Sequence, residues 1–547
     1  MLKMVDGTGI IGVDMVCPLG GAVSPPQPPN YDKVEMEGVG SLVLANSLKA
    51  PLERVELIGN SVQGENPSPD NPQEIKSAGR KSRNLFDAKK AKSGWITSDG
   101  KQTLVTFGSA DNVVSDYIQV YPGMNYTSSA SVYQNFYDSE KNFLNHNPKT
   151  STSIVVPDNA KYMIVVIAVN RALVIQTANT LMINIGSSAL PYEQYTDKYL
   201  LDVKVTGKNL FPYSNDFSNW KKRVNDSYFG SVTSDESGMK IESLKPYANM
   251  VSPIFKLKPN TEYTVSAMID TKDKAKSIGV RIFKNLNVSD YLKQIVIAVR
   301  KTTNESQKIS ATFTTDDLKD TNEAYLQLDC SWGDSILPTI VTFYDIQLEL
   351  GNNATTYEPY TEQFAKIALD EPLRGIGEYK DTITKDGVVR KIAPYEVNLS
   401  DLRDGGYEKT NTVMFSVKVQ NRTVGYASLK PSIFCNIFPD CALQTSNIYN
   451  TDKECIAVGV GIILFRVNKS RLKDISSFEA IKQSFIELME GKKMLVEYAL
   501  ETPVTEPLPE SVQAQLSSLH SENGVTHVFV DSGEVPCGIK LTYRKEK

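Results

Sequence analysis

The chain has 547 residues, with 59 Lys plus Arg against 64 Asp plus Glu and a formal net charge of −5. That length exceeds what one hydrophobic core fills and predicts three or four domains, while 41% hydrophobic and 22% charged residues exclude a disordered chain. No basic stripe runs along it, which excludes a phosphate-tracking nucleic-acid binder. Three histidines and no C-x-x-C leave little for a zinc site.

Residues 1–30 are rich in Gly and Pro and read as a flexible arm, because the cluster SPPQPP can neither pair in a sheet nor continue a helix. GTGIIG at 7–12 lacks the Lys of a phosphate loop. The opening stretch has no continuous apolar run, so a cleaved secretory signal is not expected. YMIVVIAV at 162–169, the longest apolar run, is too short to cross a bilayer and reads as a buried strand. Residues 31–82 contain short strand patterns and a connector, GENPSPDNPQEI, in which three prolines block pairing. They read as a β connector or docking region.

The chain then repeats itself. RNLFD at 83–87 matches KNLFP at 208–212. IQVYPGMNYTSSASV at 118–132 matches FKLKPNTEYTVSAMI at 255–269, and MINIGSSALPYEQY at 182–195 matches QLELGNNATTYEPY at 347–360. Three anchors in one order indicate a duplicated domain, copy one at 83–200 and copy two at 201–362. Period-two alternation and turn signals such as PGMN and KPNTE make each copy a β-sandwich of jelly-roll type. In TFYDIQLELG, strict alternation puts Phe343, Asp345, Gln347 and Glu349 on one side. Tyr344, Ile346, Leu348 and Leu350 fall on the other.

Residues 363–505 change texture and predict an α+β domain. Its helix lies in SSFEAIKQSFIELMEG, capped by Ser476 with Glu479 three residues on and stopped by Gly491. Residues 506–547 read as a C-terminal helix, PESVQAQLSSLHS, with added strands. The fold class is therefore mainly β: tandem jelly-roll sandwiches followed by an α+β C-terminal domain. The six cysteines read as reduced and mostly buried, as in a protein folded in a cytoplasm.

Several of these phrases carry a resemblance: GNSVQGENPSPDNPQEIKSAG, KNLF, QLELGNNATTYEPY, EPLRGIGEYKDTI and VEYALETPVTEPLP. The chain resembles bacteriophage tail and baseplate-associated structural proteins from phages of Gram-positive hosts. Copy two also resembles jelly-roll carbohydrate-binding modules, through NDFSNW at 215–220 and YDIQLELG at 344–351. The resemblance implies a virion protein assembled in the host cytoplasm. It also implies contact with other tail or baseplate proteins, attachment to host cell-wall glycan and a homotrimer or higher symmetric oligomer. Neither nucleic-acid binding nor membrane insertion is expected. A purely structural scaffold is the alternative, and a polysaccharide-degrading enzyme the weaker third reading, since no motif nominates a pair of carboxylates. In the module family an acidic residue on the last strand helps hold a structural calcium, and Asp345 matches that position. Copy one has Thr180 there. No other cofactor is expected. The sugar-stacking candidates are Trp95, Trp220 and Trp332, whose alternative is a place in the core.

Overall fold

The computed structural model describes residues 30–547 except 46–47, 107–111, 149–151, 170, 215, 236, 272–277, 286–293, 301–305, 319–321, 331–336, 425–429 and 443–446. The N-terminal arm therefore lies outside the described residues.

Two antiparallel sheets face each other at the centre. One runs in the order Tyr31–Val39, Gly538–Glu546, Arg54–Ile58, Thr382–Thr384, Gly387–Glu396, Leu495–Glu506, Ile433–Cys435. The other runs Ser41–Ala45, Val525–Asp531, Tyr199–Thr206, Glu362–Leu369. Leu44, Leu57, Leu201, Val203, Ile367, Val528, Ile539 and Leu541 meet between them, each fully buried. This corrects the expected domain map. The sequences 31–82 and 506–547 are not a connector and an appendage. Ser41–Ala45, Arg54–Ile58 and Gly538–Glu546 alternate buried and exposed or half-buried residues, and a single apolar face is stable only against a second sheet. They close on 199–206 and 362–384 as one sandwich. The predicted helix forms at Glu510–Ser518 and lays Val512 and Leu516 on the same core.

The duplicated copies are insertions into that sandwich. Tyr199–Thr206 pairs along its whole length with Glu362–Leu369, from Tyr199 opposite Leu369 to Thr206 opposite Glu362. Copy two, residues 207–361, grows from the tip of this hairpin. Copy one leaves after Ser77 and returns at Tyr199, where the bridges Ala78 to Leu373 and Arg80 to Leu200 close its neck. The Arg80 guanidinium, held by Glu193 and Asp202, is the ionic part of that closure.

Both copies are β-sandwiches whose larger sheets share five strand positions in the same order, with one further edge strand in copy one. The larger sheet of copy one runs Phe143–Asn147, Tyr133–Tyr137, Tyr162–Ile167, Val113–Val114, Lys92–Ile96, Gln102–Val105. Copy two runs Gln294–Arg300, Ile278–Lys284, Glu323–Asp329, Asn249–Val251, Lys221–Lys222. One side-chain set explains the repeated Asn-Leu-Phe and Tyr-Glu-x-Tyr phrases. Asn84 Nδ2 donates to the carbonyls of Leu181 and Glu193, both at 2.9 Å, while its Oδ1 accepts from the N–H of Phe86 at 3.0 Å and Ile183 at 3.1 Å. Asn209 does the same with Ile346 (3.1 Å), Glu358 (3.0 Å), Phe211 (3.0 Å) and Leu348 (3.2 Å). Each Asn thus ties its own Asn-Leu-Phe segment to the closing stretch and the Tyr-Glu tail of its copy. A second shared device is a tyrosine hydroxyl accepting from the backbone five residues back: Tyr126 from Tyr121 and Tyr263 from Lys258, each at 3.0 Å.

The copies differ in their smaller sheets. Copy two has a long closing strand, Thr339–Leu350, whose first half pairs with Gly238–Ser243. Copy one keeps only Ile183–Ile185, preceded by the unpredicted helix Arg171–Thr180, so Thr180 ends a helix. The alternation expected for 342–351 also fails in its first half. Val341 and Phe343 point inward, as do Ile346 and Leu348. The phase changes at Asp345, which has φ 52°, beside a register shift between Ser266 and Met268. One extra residue in a bulge moves the following side chains to the other face.

The strands Gly387–Glu396 and Leu495–Glu506 run out of the central sheet and into the predicted α+β unit. There they join Thr412–Lys418, Ile462–Asn468 and Cys455–Gly459 around Phe415, Phe438, Phe465 and Phe485. The helix is Phe478–Leu488. Its cap is Ser477, whose hydroxyl accepts from Ala480 N–H, one residue later than expected. Gly491 stands at φ 71°, the left-handed conformation that ends helices. The junction buries Arg374, which donates to Glu497 at 2.8 Å and Glu371 at 2.5 Å, with Ser61 also donating to Glu497 at 3.0 Å. This lock accounts for Glu371 and Arg374 of EPLRGIGEYKDTI and Glu497 of VEYALETP. The reduced state of all cysteines is corrected as well: Cys441 and Cys455 form a disulfide, because the bridge of Asp440 to Ile456 brings the Cα atoms to 5.1 Å. Cys330, Cys435 and Cys537 are buried free thiols, and burial pushes Cys435 up to about 12.

Candidate functional site

The strands of copy one's larger sheet alternate so that Phe136, Met163, Val165 and Ile167 enter the sandwich core. The intervening residues form a second apolar cluster on the opposite face. Its floor is Ile96, Val114, Ile164 and Val166, all buried. Over it lie the half-buried rings of Trp95, Tyr117, Tyr133, Phe143 and Tyr162 beside the buried Tyr137. Register sets the layout: Tyr133 stands opposite Val166, Asn135 opposite Ile164, and Tyr137 opposite Tyr162. Among the described residues, no hydrophobic side chain from outside copy one joins this cluster.

The rings brace one another. Trp95 meets Tyr133 edge-on at 5.1 Å, and Tyr133 stacks on His146 at 5.9 Å. Tyr117 touches Tyr137 at 5.1 Å and Tyr162 at 5.9 Å. The Lys141 ammonium lies 4.6 Å from the Tyr117 ring centre. Polar groups sit at the ring edges. Gln102 Nε2 donates to the hydroxyls of Tyr117 at 3.4 Å and Tyr137 at 3.3 Å, and His146 Nδ1 is 2.9 Å from Asn135 Oδ1. Burial raises the Tyr137 hydroxyl above the ordinary tyrosine value, so it remains a neutral donor and acceptor. The result is a band of fixed rings fringed by hydroxyl, amide and imidazole groups. Such a surface can stack on the apolar face of a sugar ring and hydrogen-bond its hydroxyls.

The equivalent face of copy two is closed instead. Arg281 forms a two-pronged ion pair with the fully buried Asp329, at 2.5 and 2.6 Å. Gln327 donates to the same carboxylate at 2.7 Å. Beneath them Phe283 and Tyr325 stack at 5.3 Å, with the guanidiniums of Arg223 and Arg281 5.3 and 5.5 Å from the Phe283 ring. Burial raises the Asp329 carboxyl despite Arg281. Phe283 is 0% and Tyr325 8% exposed, so neither ring offers a stacking face.

Of the predicted site residues, Trp95 alone lies on the open aromatic band. Trp220 is corrected to a core residue: it is 7% exposed and packs on Phe211 and Phe217 at 6.0 and 5.6 Å. Early apolar residues of a sandwich fill its interior, and Trp220 does so here. Trp332 lies outside the described residues. Asp345 lines an open pocket of about 850 Å³ with Asp270, Tyr344 and Tyr357, and burial raises its carboxyl. Among the described residues, no group of three or more His, Cys, Asp or Glu is placed to hold a metal. Calcium also takes backbone carbonyls and waters as ligands, and here Asp345 stands with one further carboxylate, Asp270, on the pocket lining. Sequence reasoning missed Tyr117, Tyr133, Tyr137, Tyr162, Gln102 and His146. The readable signal was YQNFY at 133–137, with tyrosines at even spacing on one strand face.

No family profile matches the chain, and no curated protein matches it. Solved structures similar to it include a family 4 carbohydrate-binding module, at 17% identity over 26% of this chain and 97% of that one, with a TM-score of 0.21. The CBM22-1–CBM22-2 tandem domain of Paenibacillus barcinonensis Xyn10C matches at 10% identity over 58% of this chain and 93% of that one, TM-score 0.21. The enzymatically active domain of a tailspike from bacteriophage CBA120 matches at 11% identity over 26% of this chain and 22% of that one, TM-score 0.21. At these scores the likenesses carry no argument for what this chain does.

Proposed function

We propose that this chain is a non-enzymatic virion component of a phage tail or baseplate whose copy one sandwich attaches to host cell-wall glycan. The observation that carries the glycan reading is the open aromatic band of copy one, with Trp95 and Tyr133 braced edge to face over a buried aliphatic floor. Single sites of this kind bind weakly, and repetition around a symmetric oligomer would turn weak contact into avidity. The virion reading rests on the sequence phrases that resemble those of tail and baseplate proteins. The closed face of copy two favours a spacer role for that copy, and to that extent the scaffold reading. Sedimentation of the intact protein with cell walls, competed by glycan released from them, tests the proposal. Failure to sediment, together with firm incorporation into particles, would leave only the scaffold.

A further inference from the structure

A second cavity, of about 450 Å³, lies at the seam where copy two meets the central sandwich. Its size is within the range of about 300–1,000 Å³ typical of small-molecule sites. Copy two contributes Phe255, Leu257, Leu348 and Leu350, and the central sandwich contributes Phe529 and Thr206. Three lysines, Lys204, Lys256 and Lys258, stand around this apolar lining.

The polar groups are not all matched within the protein. Lys204 is engaged by the Tyr360 hydroxyl at 2.8 Å and by Glu362 at 3.0 Å. Lys258, an exposed side chain at the rim, reaches the Ser41 hydroxyl at 3.4 Å and the Phe529 ring face at 4.3 Å, and no carboxylate among the described residues. Desolvation alone holds its ammonium below the ordinary lysine value, with no carboxylate opposing that shift. Thr206 is 2% exposed, lines the cavity, and its hydroxyl has no hydrogen-bond partner among the described residues.

We propose that this seam cavity binds a single-chain amphipathic anion, its tail against Leu257, Leu348 and Leu350 and its head group on Lys258. The lining suits an alkyl chain, and the unopposed ammonium suits a carboxylate or phosphate head. Because the walls come from two modules, the ligand would fix the orientation of copy two on the central sandwich.

Calorimetric titration of the full chain with dodecanoate and dodecyl phosphate, below their micelle concentrations, tests this. Dodecyltrimethylammonium and dodecyl maltoside serve as cationic and neutral controls. Saturable one-to-one binding of an anion is expected, at least tenfold weaker in Lys258→Glu and in Leu350→Trp, which fills the cavity. Circular dichroism checks the fold of both variants, and Lys258→Glu carries the test if Leu350→Trp misfolds. The tighter of the two anions assigns the head group. Binding of neither anion, equal binding of the controls, or unchanged binding in Lys258→Glu would overturn the proposal.

Discussion

Replacing Asn84 by Ala removes four hydrogen bonds at once and leaves two carbonyls and two N–H groups buried without partners. At about 1 kcal/mol net for each bond, the loss is roughly 4 kcal/mol, and more if water cannot reach the orphaned groups. Asn84 is 1% exposed, so little relief is available. A chain of several units does not unfold in two states, so a global midpoint is the wrong readout. Hydrogen exchange followed by mass spectrometry resolves the effect locally. Protection at Phe86 and Ile183 should fall by about a thousandfold, since each 1.4 kcal/mol is a factor of ten. The central sandwich and copy two should keep theirs. Asn209→Ala should produce the mirror result at Phe211 and Leu348. An effect under tenfold, or one that spreads equally to both copies, would show that these asparagines do not latch independent sandwiches.

Three further outcomes are expected. His527 is 1% exposed, and burial, helped by the Lys258 charge, pushes its pKa down to about 4. The unfolded chain therefore takes up this proton below about pH 6.5 while the folded chain resists until about pH 4. The central sandwich should lose about 3 kcal/mol across that window, read as falling exchange protection along Val525–Asp531, and His527→Gln should flatten that pH dependence. Arg374→Ala leaves Glu497 buried without its cation and should cost about 3–5 kcal/mol, seen as lost exchange protection along Leu495–Glu506. Reducing Cys441–Cys455, which closes a loop across 14 residues, should cost about 3 kcal/mol, measured as a lower midpoint for the α+β unit with dithiothreitol than without.

The duplication was legible because identical short phrases mark the latch residues, and Asn-Leu-Phe needs no distant information to be recognised. The central sandwich was not legible. Its strands come from five stretches of sequence, and nothing local in residues 538–546 says that they pair with both 31–39 and 54–58. The Asp345 bulge was hidden for a different reason. Phe343 and Leu348 both look apolar under either phase, and only the partner strand shows where the extra residue falls. Trp95 was found as a lone aromatic, whereas its partners Tyr133 and Tyr137 lie roughly forty residues on and meet it only through sheet order. Trp220 shows the reverse error: an indole is as good a core filler as a sugar platform, and composition does not distinguish the two.

The most direct test of the glycan reading is a calorimetric titration of cell-wall oligosaccharide into the full chain and into a Trp95→Ala, Tyr133→Ala double variant. Each lost aromatic contact is worth about 0.5–1.5 kcal/mol, so binding should weaken between about fivefold and a hundredfold, while Arg281→Ala in copy two leaves it unchanged. Equal affinity in the double variant, or loss of binding only in the copy two variant, would contradict the account.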